Sequence, residues 1–378
     1  MTQREPFASV VFPCLNERES IGTCVKRAQK ALDDAGLAGE VIVSDNGSTD
    51  GSSDEAQAAG ARIVNAPRRG YGNAVAAGVK ASRGDVVVIS DADGTYPLED
   101  VPVFARAARE SEAIVLGSRF AGTILPGSMP ALHRLIGSPI TRLLLRVLLG
   151  VRCSDPHSGM RAMQRSVFDA VRPVSGGWEF TFEMLVNASR HGVPIREIPI
   201  TFSERVGTSK LRALPEGWSF LRFMVVHSPT YLFVLPGAAA MGVGAVILAW
   251  LALADRAVGR ANLGINTLVV GAMATIVGYQ VVALGVCGRS YMNAMHAGSD
   301  RRWFTLGRGI VVGAVLLLAG VGLVASIGAR WLASDFGELP RSDHGIAIVG
   351  LTTAVIGMQT IFSSFFLSLL VGERREPT

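Results

Sequence analysis

Cysteine is scarce and scattered in this chain of 378 residues: Cys14, Cys24, Cys153 and Cys287 include no close pair. That spacing excludes a zinc cluster of the Cys-x-x-Cys kind and a secreted disulfide framework, so reduced, buried thiols are expected. Charge is also thin, at 18% of residues, too little for a disordered polyelectrolyte, and the 43 glycines follow no triplet period, which excludes a collagen. Up to about residue 228 no long hydrophobic run occurs, and that stretch reads as an ordinary globular α/β protein. Yet 49% of the whole chain is hydrophobic, so the apolar excess must lie beyond it. The formal net charge of +5 suits nucleic acid or an anionic membrane, and the location of the cations decides between them.

Four stretches beyond residue 228 lack charges except at their ends: 231–254, 264–287, 309–330 and 345–371. Each approaches or exceeds the ~20 residues a helix needs to cross a bilayer, which predicts an integral membrane protein with four transmembrane helices. The polar leader 1–6 runs straight into a short strand, so no signal peptide is expected. Between the second and third stretches stand Arg289, Arg301, Arg302 and Arg308 against Asp300, and the tail carries Arg374 and Arg375. The third connection instead holds Asp335, Glu338 and Asp343 against Arg341. By the positive-inside rule both termini and the large N-terminal part are cytoplasmic, with Arg256 and Arg260 in the first loop as a mild counter-signal. The expected partner of the basic loops is thus a membrane, with no nucleic acid.

In the N-terminal part, β-rich runs at 9–12, 40–43, 61–64, 85–90 and 113–116 alternate with helix candidates beginning near Arg18, Gly51, Tyr71 and Glu99. This alternation predicts an α/β fold with a mostly parallel, Rossmann-like sheet, whose ligands sit outside the carboxyl ends of the strands. The runs at those ends are Pro13 to Glu17, Ser44 to Gly51 (SDNGSTDG), Asp91 to Tyr96 (DADGTY) and Gly117 to Phe120 (GSRF). All are polar or kinked, and three contain carboxylates. Two further apolar helices with basic residues, 132–150 and 214–226, either cover the sheet or lie in the membrane interface.

Asp91 and Asp93 leave an apolar run two residues apart, so both carboxylates can face one crevice and share Mg²⁺ or Mn²⁺. Such hard cations take few protein carboxylates and complete their shell with water and phosphate oxygens, which makes the pair a diphosphate handle. Asp45, Asp50 and Glu17 are acceptors suited to a nucleobase or ribose, although Asp50 is equally placed to cap the helix that follows it. The basic, glycine-rich run Arg68 to Asn73 is either an anion-binding helix entry or a simple loop. Glu179 and Glu183, one helical turn apart on a helix expected over 178–189, are either bases or structural.

The ordered set PCLNE, SDNGSTDGS, RRGYGNA, DAD, GSRF, DPHSGMR (155–161) and TFSERVGTSKL (201–211) resembles the family 2 glycosyltransferases of the polyprenyl-phosphate type, such as dolichol-phosphate mannose synthases and undecaprenyl-phosphate glucosyltransferases. The resemblance covers residues 8 to about 228. It implies a GT-A fold, a divalent cation on Asp91 and Asp93, and donor contacts from Pro13, Asn16, Glu17, Asp45 and Asp50 to a UDP- or GDP-linked sugar. It also implies a grip on the acceptor lipid phosphate by Arg119, Arg134 with Ser138, and Arg205 with Lys210. A phosphomonoester carries about −1.5 to −2 charge near neutral pH, and bidentate arginines are its natural partners. Asp93, Arg119 and Arg205 are thus the residues expected to carry the reaction: transfer of one sugar to a polyprenyl phosphate with inversion. Dolichol-phosphate mannose synthases often have Gln two residues after the second Asp; here Thr95 stands there, which removes a third side-chain ligand and mannose as a firm expectation.

The expected organisation is a GT-A domain over 1–228 with interfacial helices near 132–150 and 214–226, then a membrane domain over 229–378. A processive polysaccharide synthase shares the fold and acidic pair but normally carries Q-x-x-R-W, which is missing here. A nucleotide-binding membrane protein without catalysis is the other alternative, and intramembrane charges are too few to mark a transport path. Small residues such as Gly237, Gly242 and Gly244 permit close helix packing and a homo-oligomer.

Overall fold

A computed structural model describes residues 6–207, 213–253, 257–258, 261–262, 264–296, 306–338 and 340–372. The chain divides into two compact units, Met1–Met224 and Val225–Thr378.

In the first unit the chain runs β1 (Ala8–Cys14), α1 (Arg18–Asp34), β2 (Gly39–Asp45), α2 (Ser52–Ala58), β3 (Arg62–Asn65), α3 (Tyr71–Ala81), β4 (Val86–Ile89), α4 (Val101–Glu110) and β5 (Ile114–Ile124). There follow α5 (Ser138–Leu149), β6 (Arg161–Gln164), α6 (Arg165–Val171), α7 (Phe180–Arg190), β7 (Ile195–Phe202) and α8 (Ala213–Val226). One seven-stranded sheet has the order β3-β2-β1-β4-β6-β5-β7, and β6 alone runs antiparallel to its neighbours. The sheet is covered on both faces. Val10, Phe12, Val41, Val43, Val86 and Val88 form one core with Ile21, Val25 and Leu32 of α1 and Phe104 of α4, while the alternate residues Val11, Ile42, Val87 and Ile89 pack on Val75, Val79 and Met184 of α3 and α7. Period-two alternation along each strand feeds the two layers. Branched residues therefore fill β4 completely, as a strand buried on both sides requires.

Several boundaries differ from the sequence reading. β5 extends to Ile124 because its second half pairs with β7 across a bulge, so GSRF lies inside the strand rather than after it. Likewise Ser44 and Asp45 are the last residues of β2, and Pro13 pairs within β1. The helix expected near Gly51 begins at Ser52, since Gly51 has φ +88° and stands outside it. The one expected near Glu99 begins at Val101, after a tight turn at Leu98–Asp100.

α5 is preceded by a wide π-type turn at His133–Gly137. Leu145 of α5, Phe182 and Leu185 of α7, and Phe223 and Met224 of α8 form a third core. The other side of the turn and α5 is open: Leu135 is 71% exposed, Ile140 51% and Leu143 59%.

The second unit contains α9 (Leu235–Leu253), two short strands β8 (Ala257–Val258) and β9 (Ala261–Asn262), then α10 (Ile265–His296), α11 (Leu306–Ala333) and α12 (Arg341–Gly372). Four segments here are long and apolar enough to span a membrane: Thr230–Leu251, Ile265–Met292, Leu306–Ala333 and Asp343–Leu370. All four cysteines are free thiols.

Candidate active site

Three strand ends of the first unit converge on one charged cluster. Arg205, three residues past β7, donates from Nη2 to Glu17 Oε1 at 2.7 Å, and its Nη1 lies 3.5 Å from Asp93 Oδ2. Glu17 follows β1 and Asp93 follows β4, so residues separated by up to 188 positions meet because their strands end on the same edge. The loop bearing Arg205 is fixed by backbone bonds, with Ser203 N donating to Thr95 O at 2.9 Å and Val206 N to Asp93 O at 3.0 Å. Among the described residues the buried Arg205 Nε has no hydrogen-bond partner.

The acidic pair is braced from both sides. Asp93, 7% exposed, accepts at Oδ1 from the Thr95 hydroxyl at 2.6 Å and the Thr95 amide at 3.1 Å. Thr95 thus turns inward to hold Asp93, a role different from that of an outward ligand. Asp91 accepts from the Tyr71 hydroxyl at 3.2 Å, and the Tyr71 ring stacks on Trp178 with centroids 4.2 Å apart. A Cβ at Gly159 would overlap the Asp91 carboxylate, so only glycine leaves that carboxylate its place. Burial, then the neighbouring charge of Asp93, push the Asp91 carboxyl up to about 7, against the opposing pull of Tyr71, Arg205 and Arg119.

The loops after β1 and β2 are stitched together by side chains. Asn16, with φ +53°, accepts at Oδ1 from Thr49 N at 2.8 Å, and its own amide donates to Ser48 Oγ at 2.9 Å. Asp45, 8% exposed, accepts from Ser48 N at 3.1 Å. Asp50 accepts from Arg18 N at 3.1 Å, from Ser52 N at 2.9 Å and from the Ser52 hydroxyl, so its carboxylate ties the starts of α1 and α2 together. Asn46, unassigned by the sequence reading, accepts from Gly70 N at 2.8 Å and donates to Gly70 O at 2.9 Å, which joins this loop to the RRGYGNA run.

The residues expected to grip a lipid phosphate are placed differently from one another. Arg119 lies within β5, and two of its nitrogens are held by Asp155, at 2.6 Å from Nε and 2.7 Å from Nη2. Asp155 is fully buried and also accepts from the Arg119 amide at 3.0 Å. Ser138 is buried with its hydroxyl 3.2 Å from His133 Nε2, and Arg134 is exposed on the wide turn. Among the described residues neither forms a hydrogen bond or ion pair with Asp91, Asp93 or Arg205. Lys210 lies outside the described residues.

The DPHSGMR run does more than its motif revealed. Arg161 is 2% exposed and donates to three backbone carbonyls, Ser158, Thr181 and Pro156, at 2.7–2.9 Å. It fixes the loop that presents Asp155 and Gly159. The His157 ring meets His133, Phe182 and Phe220 edge-on, and burial, then His133, push its imidazole down to about 3, so it stays neutral. Glu183 accepts from Val174 N at 2.9 Å and Ser175 N at 2.6 Å and is structural.

Among the described residues no three His, Cys, Asp or Glu side chains stand close enough to enclose a metal ion. The donor set nevertheless suits a hard cation, which asks for one or two carboxylates and takes its other oxygens from phosphate and water. Two aspartates share the site, and Asp91 is raised first by burial and then by the charge of Asp93, which Arg205 and Arg119 offset incompletely. A divalent cation answers that imbalance.

A mostly parallel sheet with one antiparallel strand, carrying two aspartates past its fourth strand, defines the GT-A class of α/β proteins. Residues 9–172 match the model of glycosyl transferase family 2, and residues 295–371 match that of the glycosyltransferase family 2 C-terminal transmembrane region. The chain is 38% identical over 374 residues to the low-salt glycan biosynthesis hexosyltransferase Agl6 of Haloferax volcanii, covering 97% of this chain and 89% of that protein. It is 33% identical over 203 residues to a dolichyl-phosphate hexose transferase of the same organism, covering 54% of this chain and 86% of that one. Among solved structures it is similar to glucosyl-3-phosphoglycerate synthase from Mycobacterium tuberculosis in complex with Mn²⁺, UDP and glucosyl-3-phosphoglycerate, at 26% identity and TM-score 0.47, over 59% of this chain and 78% of that one. The chain belongs to glycosyltransferase family 2. It is an integral membrane enzyme that transfers a sugar.

Proposed function

We propose that this enzyme transfers a single sugar from a UDP- or GDP-linked donor to a polyprenyl phosphate at the cytoplasmic face of the membrane, with inversion and with the help of Mg²⁺ or Mn²⁺. The observation that carries the reading is the cluster of Glu17, Asp93 and Arg205, which sets a phosphate-seeking guanidinium beside the acidic pair at one strand-end edge. The relatives named as hexosyltransferase and dolichyl-phosphate hexose transferase support the sugar and the class of acceptor.

In this mechanism Asp91 and Asp93 would hold a divalent cation, whose chemistry there would be to offset charge on the departing diphosphate. Asn16, Asp45 and Glu17, with Pro13 lining the first strand end, position the nucleoside, while Asp50 keeps its loop in shape. Arg205, with Lys210 from the same stretch, orients the acceptor phosphate. Arg119, locked by Asp155, is a fixed positive charge behind the acidic pair. An ionised phosphate is already a competent nucleophile, so no strong general base is required. Attack of its oxygen on the anomeric carbon forms the new bond as the bond to the nucleoside diphosphate breaks on the opposite side. Rate enhancement comes from alignment and charge.

The test is incubation of the full-length protein in membranes with labelled nucleotide sugars and a short polyprenyl phosphate. A lipid bearing one sugar is expected. A polymer would establish a processive synthase instead, and failure of every donor to label lipid would reject the acceptor.

A further inference from the structure

The membrane unit is one helical hairpin made twice. Residues 269–282 of α10, VVGAMATIVGYQVV, align without gaps on residues 348–361 of α12, IVGLTTAVIGMQTI, with both glycines and the glutamine in register. The contacts repeat with the sequence. In the first hairpin Gly237 abuts Gly278 O and Val282 N, and Gly244 abuts Gly271 O and Thr275 N. In the second, Gly313 abuts Gly357 O and Ile361 N, and Gly320 abuts Gly350 O and Ala354 N. Both α9 glycines in these contacts recur 76 positions later in α11, and every α10 position recurs 79 positions later in α12, with Ala354 at the place of Thr275 and Ile361 at that of Val282. Small residues that let two backbones approach closely are thus matched pair for pair.

The two hairpins are equivalent in sequence but differ in their neighbours. On the first, Leu248 and Leu251 of α9 with Leu268 and Ala272 of α10 form a buried face, 0–8% exposed, against which Ile348 and Val349 of α12 pack. The residues equivalent to Ile348 and Val349 are Val269 and Val270 of α10, and they stand 43% and 60% exposed. On the second hairpin the equivalent of Ala272 is Leu351, 55% exposed, and the equivalent of Tyr279, whose hydroxyl meets Thr360 Oγ1 at 2.6 Å, is Met358, 49% exposed. Among the described residues α11 packs closely against α12 alone. The chain therefore presents a copy of its own internal knob on one hairpin and, around Leu351, part of the equivalent receiving face on the other, where Ile327, the equivalent of Leu251, is 5% exposed.

Exposure alone selects nothing in a bilayer, because lipid is an acceptable neighbour for apolar side chains. The repeat supplies the selection: this surface pattern already binds this helix once within the chain. We propose that the α10 face carrying Val269 and Val270 of one copy docks on the α11–α12 face carrying Leu351 and Met358 of a second copy, so that the enzyme associates head to tail in the membrane. Different surfaces meet in such a contact, in contrast to a two-fold dimer.

Full-length Val270→Cys and Leu351→Cys chains, differently tagged, are co-reconstituted in liposomes and treated with a short bismaleimide, the parent with its four native cysteines serving as background. A crosslinked product containing both tags is expected from the mixture, and its loss is expected when either introduced cysteine is omitted. Crosslinking of like with like in preference to the mixed pair would overturn the head-to-tail contact. So would a monomer by light scattering of the parent in lipid nanodiscs, a measurement that does not depend on either variant folding.

Discussion

Asp91 carries an unpaid electrostatic cost in the resting site. An unfolded aspartate ionises near pH ~4, whereas burial and Asp93 raise this one to about 7. Between those values the folded chain holds a proton that the unfolded chain releases, so this group's contribution to stability falls as pH rises through the window. Asp91→Asn is therefore expected to raise the melting temperature at pH 8 while abolishing sugar transfer; an unchanged or lower melting point, read by thermal denaturation at pH 5 and pH 8, would contradict the strain. Binding of Mn²⁺ to the wild-type protein should weaken below about pH 7, because the cation must displace that proton. Asp93→Ala should stop glycolipid formation with little loss of fold. Arg205→Ala should raise the KM for the acceptor by 10-fold or more, the order of a lost charge-assisted contact of ~1.5–3 kcal/mol, with a smaller effect on the donor. Equal changes in both KM values would assign Arg205 to the donor through Glu17 instead.

At the scale of elements, the strand ends and their loops were legible because buried β-branched runs and the turn residues behind them have short-range causes. Glu17, Asp91 and Asp93 could be singled out for that reason, whereas Arg205 was reached only through the family resemblance. What could not be read is how loops brace one another across the edge. Nothing local in RAMQ marks β6 as a strand, since its pairing with β4 and β5 is set by tertiary contacts, and Arg161 at its start is buried only because three carbonyls converge on it. Arg119 illustrates the same limit. The sequence places it after the fifth strand and the resemblance gives it a grip on the lipid phosphate, whereas the pairing of β5 with β7 carries it into the sheet, where Asp155 holds two of its nitrogens. Asp155→Ala strands that buried guanidinium and is expected to cost ~3–5 kcal/mol, whereas the double change Asp155→Leu with Arg119→Met should recover much of it. Chemical denaturation of the detergent-solubilised variants measures both. If the double variant regains stability and also full transfer, Arg119 has no part in the charge balance of the site.

At the scale of the whole molecule, the argument turns on parity and charge. Four candidate spans are an even number, so the proposed topology sets the first unit and the C-terminus on one face of the membrane. In the sequence Arg301 and Arg302 fall between the second and third spans and Arg374 and Arg375 after the fourth, while Asp335 and Glu338 fall between the third and the fourth. Basic loops are retained in the cytoplasm during insertion, and a nucleotide-linked donor is made there, so the proposed chemistry and the charge asymmetry demand the same orientation. A cysteine placed at Ser334, between α11 and α12, should react with a membrane-impermeant maleimide in intact cells, and one placed at Thr378 should react only in inverted vesicles. The reverse pattern would set the first unit outside the cytoplasm. Sugar transfer would then require an external donor, and the reading of Arg205 as a grip on a cytoplasmic lipid phosphate would fail with it.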